Sequence, residues 1–197
     1  MMHHHTLKAL SIRQPWTWLL THPSIVASCG LQPKTIENRD WSTSYRGLLL
    51  LHAGAAVDAS LFDRRGLLVY DYWAWKFGTN GIHLASLMPQ HRDDYPRRAL
   101  VGQAILVDVI QQSTSPWFVG RFGFVLADAF AFATPVIYPG NRFLFEVPAL
   151  ASLAACGRRN GAEQVTRTVP DIRFAHFPGV GWSSLVLELE DCEVCHD

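Results

Sequence analysis

Lys34 and Glu37 stand three residues apart in the run KTIENRDWSTSYRGLLLLHAG, and Arg39, Trp41, Arg46 and His52 follow in the same stretch. A lysine in a partly dry cleft shifts its pKa readily, and a carboxylate three residues away can hold it charged or take a proton from water. Lys34 and Glu37 are therefore the candidate catalytic pair. Arg39 and Arg46 offer forked donors for a phosphate or a carbonyl edge. Trp41, or Trp16 of the earlier run LSIRQPWTWL, could stack on a base, a contact worth about 1–3 kcal/mol in single-stranded recognition. Gln14 carries both a donor and an acceptor, as reading a base edge requires. His52, at the exit of the leucine run, is a candidate helper. With Gln14, Trp16, Arg39, Trp41 and Arg46 it completes the candidate ligand-binding set.

Each of these residues has a structural alternative that the sequence leaves open. Trp16 on a helix can be core, Glu37 and Arg39 on one strand face can neutralise each other, and Arg46 before a glycine can cap a turn. His52 after four leucines can be a satisfied buried histidine. The cluster argues more strongly than its members, because ionic groups beside a core strand are costly to desolvate unless they pair or meet a ligand.

The elements that must position these residues follow from periodicity. Residues 8–13 alternate as a short strand, and Pro15 suits the first turn of a helix carrying Trp16, Leu19 and Leu20 inward. His22-Pro23 interrupts that helix, which resumes until Gly30. In the next strand, TIENRDW, period-two geometry sets Thr35, Glu37, Arg39 and Trp41 on one face. GLLLLHAG has leucines on both faces, the mark of a strand buried on both sides. Residues 58–78 have helical character with an aromatic series from Tyr70 to Phe77, and residues 81–98, with Pro89 and Pro96, read as a mobile connection. Strand signals return at ALVGQAILVDVI, RFGFVLADAFAF and NRFLFEV. Beyond them, ALASLAACGRR reads as a helix, and EQVTRTV and SSLVLELED as strands. Short strands with helices inserted between them predict an α+β fold built on a small, partly closed β-barrel.

Composition narrows the function. The chain has 197 residues, 49% of them hydrophobic and 17% charged, which is globular. Its 17 basic and 17 acidic residues cancel, so broad non-specific DNA binding is not expected, while a local basic cleft is allowed. No run of about 18 apolar residues marks a membrane span, and no secretory signal opens the sequence. Cys29, Cys156, Cys192 and Cys195 read as reduced thiols of a cytoplasmic protein. The terminal CEVCH spells a haem-attachment pattern, but a haem site needs an enclosing pocket, and Cys192, Cys195 and His196 lack a recognisable fourth zinc ligand. Neither a metal nor a cofactor is expected. No P-loop, G-x-G-x-x-G, H-E-x-x-H or G-x-S-x-G occurs, which removes the common nucleotide, zinc-protease and serine-hydrolase readings.

The ordered pattern L-S-I-R-Q-P-W, then K-T-I-E-N-R-x-W, then Y-R-G-x-L-L-x-H-A resembles the activating signal cointegrator homology (ASCH) domain of the PUA-like superfamily. The later run GRFGFVLADAFAFATPVIYPGNRFLFEV resembles that family's closing strands. The likeness covers residues 7–148, with an inserted segment at about 58–98, and residues 149–197 form an extension expected to pack on the same domain. The resemblance implies a PUA-like barrel with a cleft for RNA or modified nucleobases. One branch of the family hydrolyses acetylated cytidine through a K-x-x-T run. Here Glu37 stands at the threonine position, so that activity does not carry over unchanged. Three readings follow: a module binding RNA or a nucleoside through Lys34, Glu37, Arg39 and Arg46; a metal-independent hydrolase of RNA or a modified pyrimidine; and a protein-interaction module using the aromatic series.

Overall fold

The computed structural model describes residues 6–148, and the helix and strands expected beyond residue 148 lie outside them, as do Cys156, Cys192, Cys195 and His196. Strand β1 (Thr6–Gln14) runs into helix α1 (Trp16–Thr21), and Pro23 opens α2 (Pro23–Ser28). Gly30, at φ +72°, lets the chain turn out of α2 in a conformation that costs other residues energy. β2 (Ile36–Arg39) and β3 (Gly47–Val57) follow. A 3₁₀ turn (Ala59–Leu61), α3 (Tyr70–Leu87) and a second 3₁₀ turn (Arg92–Asp94) lead to β4 (Ala99–Ile110), β5 (Phe122–Ile137) and β6 (Leu144–Pro148).

The strands form one six-stranded sheet in the order β2-β5-β4-β3-β1-β6. β1 pairs with β3 in parallel, and every other ladder is antiparallel. The fold is α+β, as expected, but among the described residues no ladder joins the edge strands β2 and β6, so the sheet is not closed into a barrel there. Irregularities at three points of the β4–β5 ladder bend that long pair.

Leucines on both faces of β3 do what their pattern predicts. Leu49 and Leu51 pack with Leu10, Ile12, Phe124 and Leu126 on one side, and Leu50 packs with Ala9, Leu100, Phe145 and Val147 on the other. A separate core joins the helices: Leu19, Val26, Leu61, Trp73, Leu84 and Tyr95.

The segment after β3 departs from expectation. It is helical later than the sequence reading placed it, at Tyr70–Leu87, with a kink at Gly78 (φ 61°, ψ −142°). Residues 81–87, expected as part of a mobile connection, are helix because Leu84 and Ala85 bury completely against Trp73. A Cβ at Gly81 would lie 1.9 Å from the Trp73 carbonyl oxygen, so only glycine allows that approach. The prolines that suggested a connection, Pro89 and Pro96, come after the helix has ended. Among the described residues no helix is long and apolar enough to cross a membrane.

Candidate functional site

The polar end of the sheet is a cleft of ≈ 1110 Å³. β1 supplies Ser11 and Arg13, α1 supplies Trp16, β2 and the residues after it supply Glu37, Arg39 and Trp41, and α3 supplies Tyr72 and Lys76. The β5–β6 loop closes one side with Asn141, Arg142 and Phe143. Five basic and three acidic side chains line it, a local excess of positive charge that the neutral chain conceals.

The candidate pair Lys34 and Glu37 lines it from near-complete burial. Lys34 is 3% exposed and Glu37 7%. Lys34 Nζ donates to the Ile36 carbonyl and lies 3.3 Å from Glu37 Oε2. Burial pulls the ammonium below its usual pKa; Glu37 opposes the shift, and the charges of Arg39 and Lys76 add to it. Glu37 Oε1 is 3.5 Å from Arg39 Nη2, so one carboxylate bridges two cations. Arg39 Nη2 also donates to the Ser11 carbonyl at 2.7 Å, but its buried Nε has no partner among the described residues. The indole N–H of Trp73, in the helical core and outside the cleft, is likewise without a partner among the described residues. Asn38, the alternate residue of β2, anchors the strand by donating to the Trp117 carbonyl and accepting from the Val119 amide.

Both candidate tryptophans reach the cleft. Trp16 donates its indole N–H to Asp58 Oδ2 at 3.0 Å, and the Lys34 ammonium lies 5.8 Å from its ring centre. Trp41 meets Phe124 and Phe143 edge-on, at 4.9 and 5.2 Å between centroids.

Three candidates lie elsewhere. Gln14 is buried and committed: its Nε2 donates to the Pro96 carbonyl and its Oε1 accepts from the Trp18 amide, each at 3.0 Å. Arg46 pairs with Asp108 at 3.0 Å and donates to the Thr43 and Tyr45 carbonyls, capping its turn. His52 sits inside β3 rather than at its exit, 1% exposed, beneath a second cavity of ≈ 480 Å³. Its Nε2 is 2.9 Å from the Tyr138 carbonyl and its Nδ1 3.0 Å from Ser11 Oγ. A carbonyl can only accept, so the neutral ring carries its proton on Nε2, and Ser11 donates to Nδ1. Burial lowers the His52 pKa, and the bond to Tyr138 partly offsets that.

The sequence reading missed Asp58, Tyr72, Lys76 and the Asn141–Phe143 corner. Tyr72 and Lys76 are four residues apart and so share a helix face. The aromatic series they belong to is divided: Trp73 is fully buried, whereas Trp75 is 80% exposed. Among the described residues no group of three or more His, Cys, Asp or Glu side chains is placed to hold a metal. No protein-family model matches the chain, and no curated protein sequence matches it.

Proposed function

We propose that this chain is a cytoplasmic ASCH-type, PUA-like module that binds RNA or a modified nucleoside in the cleft around Lys34. The observation that carries the reading is the combination of an ion-paired, buried lysine, an arginine with an unpartnered buried Nε, and two tryptophans that line the same cleft. A nucleobase meets each of these needs. Its ring stacks on Trp41 or Trp16, and its carbonyl or ring nitrogen accepts from Arg39. Replacing both Lys34 and Arg39, as Lys34→Met with Arg39→Gln, removes these donors and should weaken binding of nucleosides and short single-stranded RNA by about 100-fold, given about 1.5–3 kcal/mol per charged hydrogen bond. Titration calorimetry on the wild type and the folded double variant measures this. Equal affinities refute the proposal.

A hydrolase reading has one observation in its favour: the lowered Lys34 pKa, beside a carboxylate, within a cleft. Against it, both Glu37 oxygens already face cations, which leaves them poorly placed to take a proton from water. Acetylated cytidine and labelled RNA, incubated with wild type and Glu37→Gln, separate the two: binding without turnover fits the module, and turnover lost in the variant fits the hydrolase.

A further inference from the structure

The smaller cavity adjoins the main cleft and shares Ser11, Gly54, Ala55, Asn141 and Arg142 with it. We infer that this cavity is a phosphate subsite served by Arg98 and Arg142, so that the ligand class is a phosphate-bearing nucleotide or RNA chain rather than a free nucleoside. The inference rests on the reading above for the base, and on separate observations for the phosphate.

The first is charge. Arg98 and Arg142 line the cavity and no acidic residue does, in contrast to the main cleft with Glu37, Asp40 and Asp58. Both arginines are exposed, and neither guanidinium has an ion-pair partner among the described residues, whereas Arg46 and Arg97 each hold a carboxylate. A planar guanidinium matches two phosphate oxygens at once.

The second is backbone conformation. Arg98 is held at φ +53°, a region bulky side chains avoid, and its carbonyl accepts from the Tyr138 amide at 3.0 Å. Phe143, on the far side of Arg142, is held at φ +58°. Arg98 thus holds a strained backbone at the smaller cavity and Phe143 one at the main cleft, and such strain can persist where the surroundings fix a functional geometry.

The third is the floor. A Cβ on Gly140 would lie 2.4 Å from His52 Cε1 and 2.9 Å from Ser11 Oγ, so only glycine lets the β5–β6 loop close this tightly over that pair. The Ser11 hydroxyl is spent on His52, and burial favours the neutral form of that ring. The His52 Nε2–H is spent on the Tyr138 carbonyl, so the floor offers an anion neither charge nor a free donor, and the arginines must supply both.

Calorimetry with uridine, uridine monophosphates and a short single-stranded RNA, at about 50 and 200 mM salt, tests the inference, because single-strand affinity falls with log salt at a slope near 0.7 per phosphate contacted. The monophosphate should bind at least about tenfold tighter than uridine at low salt, one charged pair's worth. Arg98→Ala, outside the main cleft, should erase that advantage and its salt dependence while leaving uridine affinity within about twofold, and Arg98→Lys should restore part of it. Pyrophosphate alone, followed by ³¹P NMR, tests the subsite without a base. Line broadening with wild type but not Arg98→Ala supports the subsite even if no nucleoside binds, an outcome that sinks only the base reading. Equal affinity for uridine and its monophosphates, or an equal loss of both in Arg98→Ala, overturns the inference.

Discussion

Glu37→Gln should be among the most damaging polar substitutions in the sheet, and more damaging than Lys34→Met. Opposite charges 3.3 Å apart attract by about 5 kcal/mol at an effective dielectric near 20. Removing one partner of a buried pair costs about 3–5 kcal/mol, because the other charge stays in a dry site. Glu37→Gln strands Lys34 in that way. Lys34→Met does not strand Glu37, which keeps Arg39 Nη2 at 3.5 Å; what it leaves is the Ile36 carbonyl without its donor, a cost of about 1–3 kcal/mol. Lys34 also sets a pH signature. Its folded pKa lies below the ordinary 10.5, so between the two values the unfolded chain binds more protons and stability rises with pH. The penalty of the buried charge is fully present below the folded value and is gone above 10.5. Losing Glu37 lowers the folded value further, so the variant's deficit should shrink as pH is raised from about 7 to about 10. Urea denaturation of wild type, both single variants and the double variant measures the cost and the coupling. The reasoning fails if Lys34→Met is the worse of the two, or if Glu37→Gln stays within about 1 kcal/mol of wild type at every pH.

His52 has a folded pKa below its ordinary 6.5, so the unfolded chain takes up the proton first; its contribution to stability is present above 6.5 and is lost as pH falls through that window. Thermal melts from about pH 7 to about pH 5 should therefore show a shallower acid-side decline for His52→Gln, and an unchanged slope would assign that decline to other groups. Gly140→Ala must push the loop off His52, at a cost of about 1–3 kcal/mol. An unchanged melting temperature would show that the loop does not close over that ring.

The sequence revealed what depends on neighbouring residues and concealed what depends on distant ones. The double-sided burial of β3 is written in four consecutive leucines, and the stop after α2 in Gly30. Lys34, Glu37, Arg39 and Trp41 reach one cleft because a short loop and strand place them there, a matter of local spacing. Gln14 and Arg46 carry the same chemistry but are claimed by Pro96 and Asp108, partners that no local pattern names. Asp58, Tyr72, Lys76 and Arg142 were invisible for the converse reason: the fold brings them to the cleft from segments that look like ordinary turn, helix and loop. The helix through residue 87 was hidden because its burial rests on Gly81 meeting the Trp73 backbone, a contact between turns on either side of a kink.

The charge beside the core has a physical reading that neither a solvated turn nor a purely structural ion pair supplies. A solvated turn would leave Lys34 exposed, and it is 3% exposed. A structural pair selected for stability alone would satisfy its donors, since a stranded buried donor costs about 1–3 kcal/mol and apolar replacements of the pair are often no worse. Arg39 lines the cleft, but its Nε is buried and has no partner among the described residues, beside a lysine whose charge burial disfavours. Lys34 already has Glu37 and the Ile36 carbonyl, so it is Arg39 that lacks an acceptor, and on the proposed reading a ligand seated against Trp16 or Trp41 would supply it once the guanidinium turns outward. On the proposed binding reading, the cost of that unpaired donor would be recovered when a ligand acceptor meets it, which is how a preorganised site gains affinity without a large apolar contact.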